Sequence, residues 1–134
     1  MRRVMVIPVY YSRPKSEGHQ EGDAVYDHPT PIDEEGTLKR TLESIRILAN
    51  HEFQLVILVS PTNDELTIRA KDKINKILSE VNLDIQTYVF TPYELDKIRH
   101  IALEKGINNE VMNLMNLKGY ANVRNMCIYT AYIL

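Results

Sequence analysis

The sequence contains few of the residues that mark specialised classes of protein. Its 134 residues include one cysteine and no tryptophan. A single cysteine, Cys127, cannot form an internal disulfide, which excludes disulfide-rich secreted scaffolds and favours a reducing cytoplasm. The net charge is −2 and there is no strongly basic block, so the chain offers nucleic acid no cationic surface. The longest apolar runs, such as 55–59, are far too short to cross a bilayer.

Motifs for several common catalytic sites are also missing. The sequence has no Walker phosphate loop, no GxGxxG after its first apolar run, no HExxH and no paired cysteines for zinc. None of its serines has the context of a nucleophile elbow. His19 and His28 lie near Asp23 and Asp27, which leaves a metal in that segment open. Solvated surface histidines are the more common explanation of such scattered positions.

Three apolar runs predict strands buried on both faces of a parallel sheet. They cover residues 4–9, 53–60 and 85–90. Proline cannot donate to a ladder, so we expect the first strand to end at Pro8. Residues 11–32 are rich in glycine, proline and polar side chains, which predicts a long loop.

Five helices are predicted between and after these strands. The first begins near Asp33 as its cap, with Leu38, Leu42, Ile45 and Ala49 on its apolar face. Two more follow capping boxes, which are Thr62 with Glu65 and Thr91 with Glu94, the latter with Pro92 at the first helical position. A short helix is expected over 107–117 and a last one from about Asn122.

The resulting order of elements is β-α-β-α-β-α-α-α. This alternation predicts one domain over residues 1–134, a three-layer α/β/α structure with a mostly parallel, Rossmann-like sheet. In such sheets ligands bind beyond the carboxyl ends of the strands, where the strand order reverses. We therefore expect a binding site formed by residues 8–11, 60–64 and 90–92.

The end of the sequence carries a pattern of its own. From Cys127 onward nearly every face of the predicted helix is apolar, and no glycine, asparagine or proline stop signal follows. Either a partner subunit covers this helix in a homo-oligomer, or the natural protein continues. We expect that it continues past Leu134.

Several segments, taken in order, resemble one known family. The first strand ends in Pro8-Val9-Tyr10, and the second ends in residues 60–64, Ser-Pro-Thr-Asn-Asp. Between them the first helix matches the pattern E-x-x-L-x-x-T-L-x-S-I at Glu35, Leu38, Thr41, Leu42, Ser44 and Ile45. Later, a segment that starts at Gly119 ends in Arg124-Asn125. This succession resembles the family 2 inverting glycosyltransferases, which have the GT-A fold.

The resemblance implies that the chain is the donor-binding N-terminal part of a glycosyltransferase. Such an enzyme transfers a sugar from a nucleotide-diphosphate donor to an acceptor hydroxyl. The implied nucleotide-binding residues are Pro8, Val9, Tyr10, Glu35, Ser60, Thr62, Asp64, Arg124 and Asn125. Tyr10 would stack on the base, and Arg124 would reach the base or a phosphate. The chain departs from the family at Ser60-Pro61, where relatives carry acids that contact the base or ribose.

The resemblance also implies a divalent metal, Mg²⁺ or Mn²⁺, in the intact enzyme. The family holds it with an acidic DxD pair after the Arg-Asn segment, and no such pair follows Asn125 in this sequence. We therefore expect this chain alone to hold no metal and transfer no sugar, and no catalytic residue is assigned. Two alternatives stay open. One is a non-catalytic nucleotide-binding or regulatory domain that oligomerises through its last helix. The other is a nucleotidyltransferase, for which Arg13 and Lys15 are the only hints.

Overall fold

A computed structural model describes residues 3–133 and contains a four-stranded, all-parallel sheet. The strands are β1 (Val4–Ser12), β2 (Thr30–Pro31), β3 (Gln54–Pro61) and β4 (Thr87–Phe90). Their spatial order is β2-β1-β3-β4. Helices cover both faces, so the predicted α/β class with a parallel, Rossmann-like sheet is confirmed.

The helices fall on the two faces of the sheet. They are α1 (Leu38–Ile45), α2 (Thr67–Val81), α3 (Pro92–Glu104), α4 (Asn109–Leu114) and α5 (Tyr120–Ile133), with a 3₁₀ turn over Asp64–Leu66. One core joins α1 and α2 to the sheet through side chains such as Leu42, Ile57 and Ile74. A second core joins α3 and α5 to the opposite face, where Leu58 and Met126 are buried. Leu134, which the sequence pattern placed in the last helix, lies outside the described residues. No helix within 3–133 is long and apolar enough to span a membrane.

β1 does not end at Pro8, as the sequence suggested, but runs on to Ser12. The Tyr11 carbonyl accepts from the Thr62 amide on the β3 side, whereas the Ser12 carbonyl accepts from the Ile32 amide on the β2 side. The N–H and C=O groups of successive residues point to opposite sides of a strand. The backbone groups of Pro8 therefore point to the same side as those of Ser12, away from β3. None of the described strands pairs with β1 there, so the missing N–H of Pro8 costs no ladder bond.

The predicted loop over 11–32 is shorter than expected. Tyr11 and Ser12 complete β1, and Thr30 and Pro31 pair with them as the short parallel strand β2. The loop proper covers residues 13–29. A two-residue strand that follows Pro29 and itself contains Pro31 has no alternating pattern to reveal it in the sequence.

α1 begins at Leu38, with Thr37 at its N-cap, and not near Asp33. Gly36 has a φ of +71°, a left-handed conformation that cannot continue into a helix from residues 33–35. The acids at 33–35 therefore belong to the turn before the helix. Ala49, predicted on its apolar face, lies beyond the end of α1.

One of the two predicted capping boxes is confirmed. The Thr91 hydroxyl accepts from the Tyr93 amide at 3.2 Å, and the Glu94 carboxylate accepts from the Thr91 amide at 2.9 Å. The box at Thr62 and Glu65 is wrong, because Asn63 is the cap and its side chain accepts from the Glu65 amide at 3.1 Å. The backbone of Thr62 is engaged elsewhere, between Tyr11 and the loop.

The remaining boundaries shift by a few residues. The third predicted strand forms only over Thr87–Phe90, the short helix is Asn109–Leu114, and the last helix begins at Tyr120, directly after Gly119. Helix ends fray and carry local hydrogen bonds, so such shifts are the expected scale of error for sequence patterns.

Candidate functional site

The strand order places a topological switch at β1 and β3. The chain leaves β1 towards β2 on one side and then returns through α1 to β3 on the other side. In open parallel sheets the crevice outside the carboxyl ends of two such strands is where ligands bind. Here those ends are Ser12 with Arg13, and Pro61 with Thr62.

A cavity of about 460 Å³ lies at that position, beneath the loop over residues 13–29. We call it the loop cavity, and its lining includes Ser12, Arg13, Lys15, His19, Asp23, Ala24, Val25, Tyr26, Pro29 and Thr62. Its size falls in the range of small-molecule sites. The Thr62 hydroxyl is buried and has no hydrogen-bond partner among the described residues. A buried hydroxyl without a partner is costly, and Thr62 is the residue of the cavity lining that carries one.

An ion-pair network fastens the loop to the carboxyl end of β3. The Arg13 Nε donates to both carboxylate oxygens of Asp23, at 3.0 and 3.2 Å, and the Asn63 side-chain Nδ2 donates to Asp23 at 3.1 Å. The Arg13 guanidinium also lies 3.3 Å from the Glu65 carboxylate. The hydrogen bond from Arg13 lowers the pKa of Asp23. The network therefore stabilises the loop at neutral pH, and that contribution is lost as pH falls through the lowered pKa.

A cluster of three tyrosines fills the space between the loop and the start of α5. The ring centroids of Tyr10, Tyr26 and Tyr120 lie 4.7 to 5.2 Å apart. The buried hydroxyl of Tyr26 lies 2.7 Å from Ser60 Oγ and accepts from the Gly119 amide at 3.2 Å. The Tyr120 hydroxyl accepts from the backbone amide of residue 27 at 2.8 Å. Loop, β3 and α5 are therefore locked together at one point.

This cluster determines what two of the predicted binding residues do. Ser60 is fully buried and bonded to the Tyr26 hydroxyl and to the Leu117 carbonyl. Its hydroxyl is used within the fold. Tyr10 packs its ring against Tyr26 and Tyr120, and burial raises its pKa while the neighbouring charge of Arg124 opposes the rise.

A second, smaller cavity of about 210 Å³ lies along the unpaired side of β1. We call it the edge cavity, and four of the predicted binding residues, Pro8, Val9, Tyr10 and Glu35, are in its lining. Gly36 and Thr30 form another part of its wall. The β-carbon of any larger residue at Gly36 would lie 2.6 Å from Thr30 Cγ2, so glycine is required for this close approach.

Asp64 lies in a third place. It lines a polar cavity of about 210 Å³ between the carboxyl ends of β3 and β4, together with Asp96, Arg99 and Lys118. Lys118 pairs with Asp64 at 3.3 Å, and Arg99 pairs with Asp96 at 3.4 Å. The charges in this cavity are matched within the fold.

Arg124 and Asn125 are exposed on the first turns of α5. The nine predicted residues are thus divided. Thr62 lies in the loop cavity, four residues lie in the edge cavity, Asp64 lies in the polar cavity, and Ser60 is internal to the fold. Tyr10 is where the segments meet: Glu35 lines the same cavity, Ser60 is its partner on β3, and the charge of Arg124 acts on it.

The histidines and acids do not gather into a metal centre. Within residues 3–133 no group of three or more histidine, cysteine, aspartate or glutamate side chains could hold a metal ion. Asp23, which the sequence placed near His19, is instead bonded to Arg13 and Asn63.

Of the residues that line the loop cavity, Thr62 alone was predicted from the sequence to bind nucleotide. Tyr26 and Asp23 lie in a segment without periodicity, and their partners are far away along the chain, at Ser60 and Asn63. Two signals were available. Tyr26 is an aromatic residue in an otherwise polar loop, and Asn63 directly follows a strand end.

Comparisons with known proteins give no relative: no family model, no curated protein and no solved structure matches the chain.

Proposed function

We propose that this chain is the donor-nucleotide-binding part of a glycosyltransferase, with the nucleotide in the loop cavity. The observation that carries the proposal is Thr62, which lines a cavity at the β1–β3 switch point and whose buried hydroxyl has no hydrogen-bond partner among the described residues. The family resemblance of the sequence supplies the class of ligand, a nucleotide-diphosphate sugar.

The lining of the loop cavity suits a nucleoside better than a free phosphate. Ala24, Val25, Tyr26 and Pro29 offer apolar and aromatic surface, to which a base can bind. The cationic group nearest the strand ends, Arg13, is already bonded to Asp23. The Thr62 hydroxyl can both donate and accept, which suits the edge of a base or a ribose hydroxyl.

The proposed donor site lies in the loop cavity with Thr62, and the other nucleotide-binding residues predicted from the sequence lie outside that cavity. Thr62 takes over the polar contact that the family's acids make after the second strand. Ser60 is excluded from that role because Tyr26 and Leu117 already occupy its hydroxyl. The edge cavity, with Tyr10 and Glu35, is adjacent and is left for another part of the donor or for the acceptor.

The proposal predicts that Thr62→Val weakens binding of uridine or guanosine diphosphate about two- to tenfold, the effect of losing one neutral hydrogen bond. Isothermal titration calorimetry in the presence of Mn²⁺ measures it. The matched control is Thr67→Val, because the Thr67 hydroxyl is also buried without a described partner but lies outside the loop-cavity lining.

Both valine variants should unfold at higher urea concentration than the parent chain, since each removes a hydroxyl whose bond is unmade. A weaker affinity in Thr62→Val would then not reflect a damaged fold. Equal affinities for Thr62→Val and the parent would remove Thr62 from the site. If neither diphosphate binds the parent saturably, the donor-site assignment itself is wrong.

A second candidate function is a non-catalytic domain that assembles through α5. Ile128, Tyr132 and Ile133 are exposed on this helix, and an apolar cavity of about 330 Å³ lies beside it, against α3 and β4. A concentration-dependent dimer that Tyr132→Lys abolishes, in a chain that binds no nucleotide, would favour this function over the first.

A further inference from the structure

The side chain of Asp23, in the loop over residues 13–29, accepts four hydrogen bonds. Its side chain is 2% exposed. Its carboxylate accepts from Arg13, from the Asn63 side chain at 3.1 Å and from the Gln20 amide at 3.0 Å. Every one of these donors belongs to the loop or to the residue that follows Thr62. The carboxylate therefore joins the loop on one side of the loop cavity to the end of β3 on the other.

The residue next to Asp23 forms the backbone part of the same junction. The Ala24 amide donates to the Thr62 carbonyl at 2.8 Å, and the Thr62 amide donates to the Tyr11 carbonyl at 2.8 Å. Thr62 is thus held on one side by β1 and on the other by the loop. Asp23 and Asn63 flank this backbone bond in sequence and are bonded to each other, so they set the distance between loop and strand end.

The guanidinium of Arg13 is already paired with carboxylates and is not free to bind a ligand. Its guanidinium is bonded to Asp23 and lies within 3.4 Å of Glu65, and its side chain is 11% exposed. Glu65, by contrast, is 74% exposed and lies at the outer end of the network. Exposed ion pairs of this kind contribute little to the free energy of folding.

We infer that Asp23 is a positioning residue that holds Thr62 and the loop over residues 13–29 at the spacing a ligand of the loop cavity requires. Arg13 serves this role through Asp23 and does not contact the ligand. The inference rests on the proposed function for the identity of the ligand, and on the geometry alone for the shape of the cavity.

The experiment has one arm without ligand and one with it. The chain carrying Asp23→Asn is compared with Arg13→Gln and with the control Glu65→Gln, in which only the exposed end of the network changes. Hydrogen exchange of the Ala24 amide reports whether the loop stays bonded to Thr62. Amides of the buried strand β3 report global stability, and calorimetry with uridine and guanosine diphosphates reports affinity.

Asp23→Asn should speed exchange at Ala24 by roughly ten- to a hundredfold, the range for losing a hydrogen bond to a charged group, and weaken the diphosphate by about tenfold. The lost contacts lower the free energy of loop opening and of global unfolding alike, so exchange in β3 should speed by no more than the same factor. Arg13→Gln should likewise speed exchange at Ala24 and weaken diphosphate binding. Glu65→Gln should change neither the exchange rate nor the affinity by more than about threefold.

Two results would overturn the inference. Unchanged Ala24 exchange in Asp23→Asn would show that the carboxylate does not hold the loop. Weaker binding in Arg13→Gln with Ala24 exchange at the parent rate would show that Arg13 contacts the ligand directly. If the parent chain binds neither diphosphate, the proposed function fails, while the exchange arm still decides the role of Asp23.

Discussion

Tyr26→Ala should lower the free energy of unfolding by about 3–5 kcal/mol, the usual cost of removing a buried aromatic side chain. Tyr26 is 6% exposed, packs against Tyr10 and Tyr120, and bonds with its hydroxyl to Ser60 and to the Gly119 amide. The loop loses its main anchor with this side chain. Urea unfolding measures the loss, and limited proteolysis within residues 13–29 should become faster.

Two further variants separate the contributions of Tyr26. Tyr26→Phe keeps the ring and leaves the Gly119 amide without this acceptor, which should cost about 1–3 kcal/mol. Tyr132→Ala is the matched control, because Tyr132 is 91% exposed and its loss should stay within about 0.5 kcal/mol. If Tyr26→Ala costs no more than Tyr132→Ala, the tyrosine cluster does not hold the loop to the sheet.

Gly36→Ala should be the next most damaging change, through two separable costs. The left-handed φ of +71° costs an alanine about 1–2 kcal/mol. In addition, the new β-carbon would lie 2.6 Å from Thr30 Cγ2, and relieving that overlap should cost about another 1–3 kcal/mol. Both residues line the edge cavity, so its shape should change as well.

Gly106→Ala isolates the first of these costs. Gly106 has a φ of +76°, and no described atom lies within 4 Å of its added β-carbon. Urea unfolding should therefore show Gly36→Ala to be less stable than Gly106→Ala, and Thr30→Ala should remove most of the difference when combined with Gly36→Ala. Equal losses at the two glycines would mean that residue 36 does not approach Thr30 in solution.

The layers of the fold could be predicted from the sequence because they depend on local patterns. The apolar run over residues 55–59 is buried in β3 on both faces, and Thr91 with Glu94 forms the capping box that their spacing indicates. Such features need only neighbouring residues. The start of α1 was placed too early because an aspartate cap followed by two glutamates is a good helix signal, whereas the left-handed conformation of Gly36 and its close approach to Thr30 leave no local pattern.

The site could not be predicted to the same extent, since it depends on where an aperiodic loop folds back. Ser60 stands at the correct strand end, yet Tyr26 reaches it from 34 positions away and occupies its hydroxyl. Thr62 was predicted both as a ligand contact and as a helix cap. Its backbone pairing with Tyr11 and Ala24 removes the second role, and Thr62 remains in the lining of the loop cavity.

The most direct test of a donor site in the loop cavity is a titration of the chain with uridine and guanosine diphosphates, followed by amide chemical shifts. Saturable changes are expected for at least one of the two, concentrated at Ser12, Arg13, Ala24, Tyr26 and Thr62. No saturable change with either diphosphate, or changes confined to the polar cavity around Asp96 and Arg99, would contradict it.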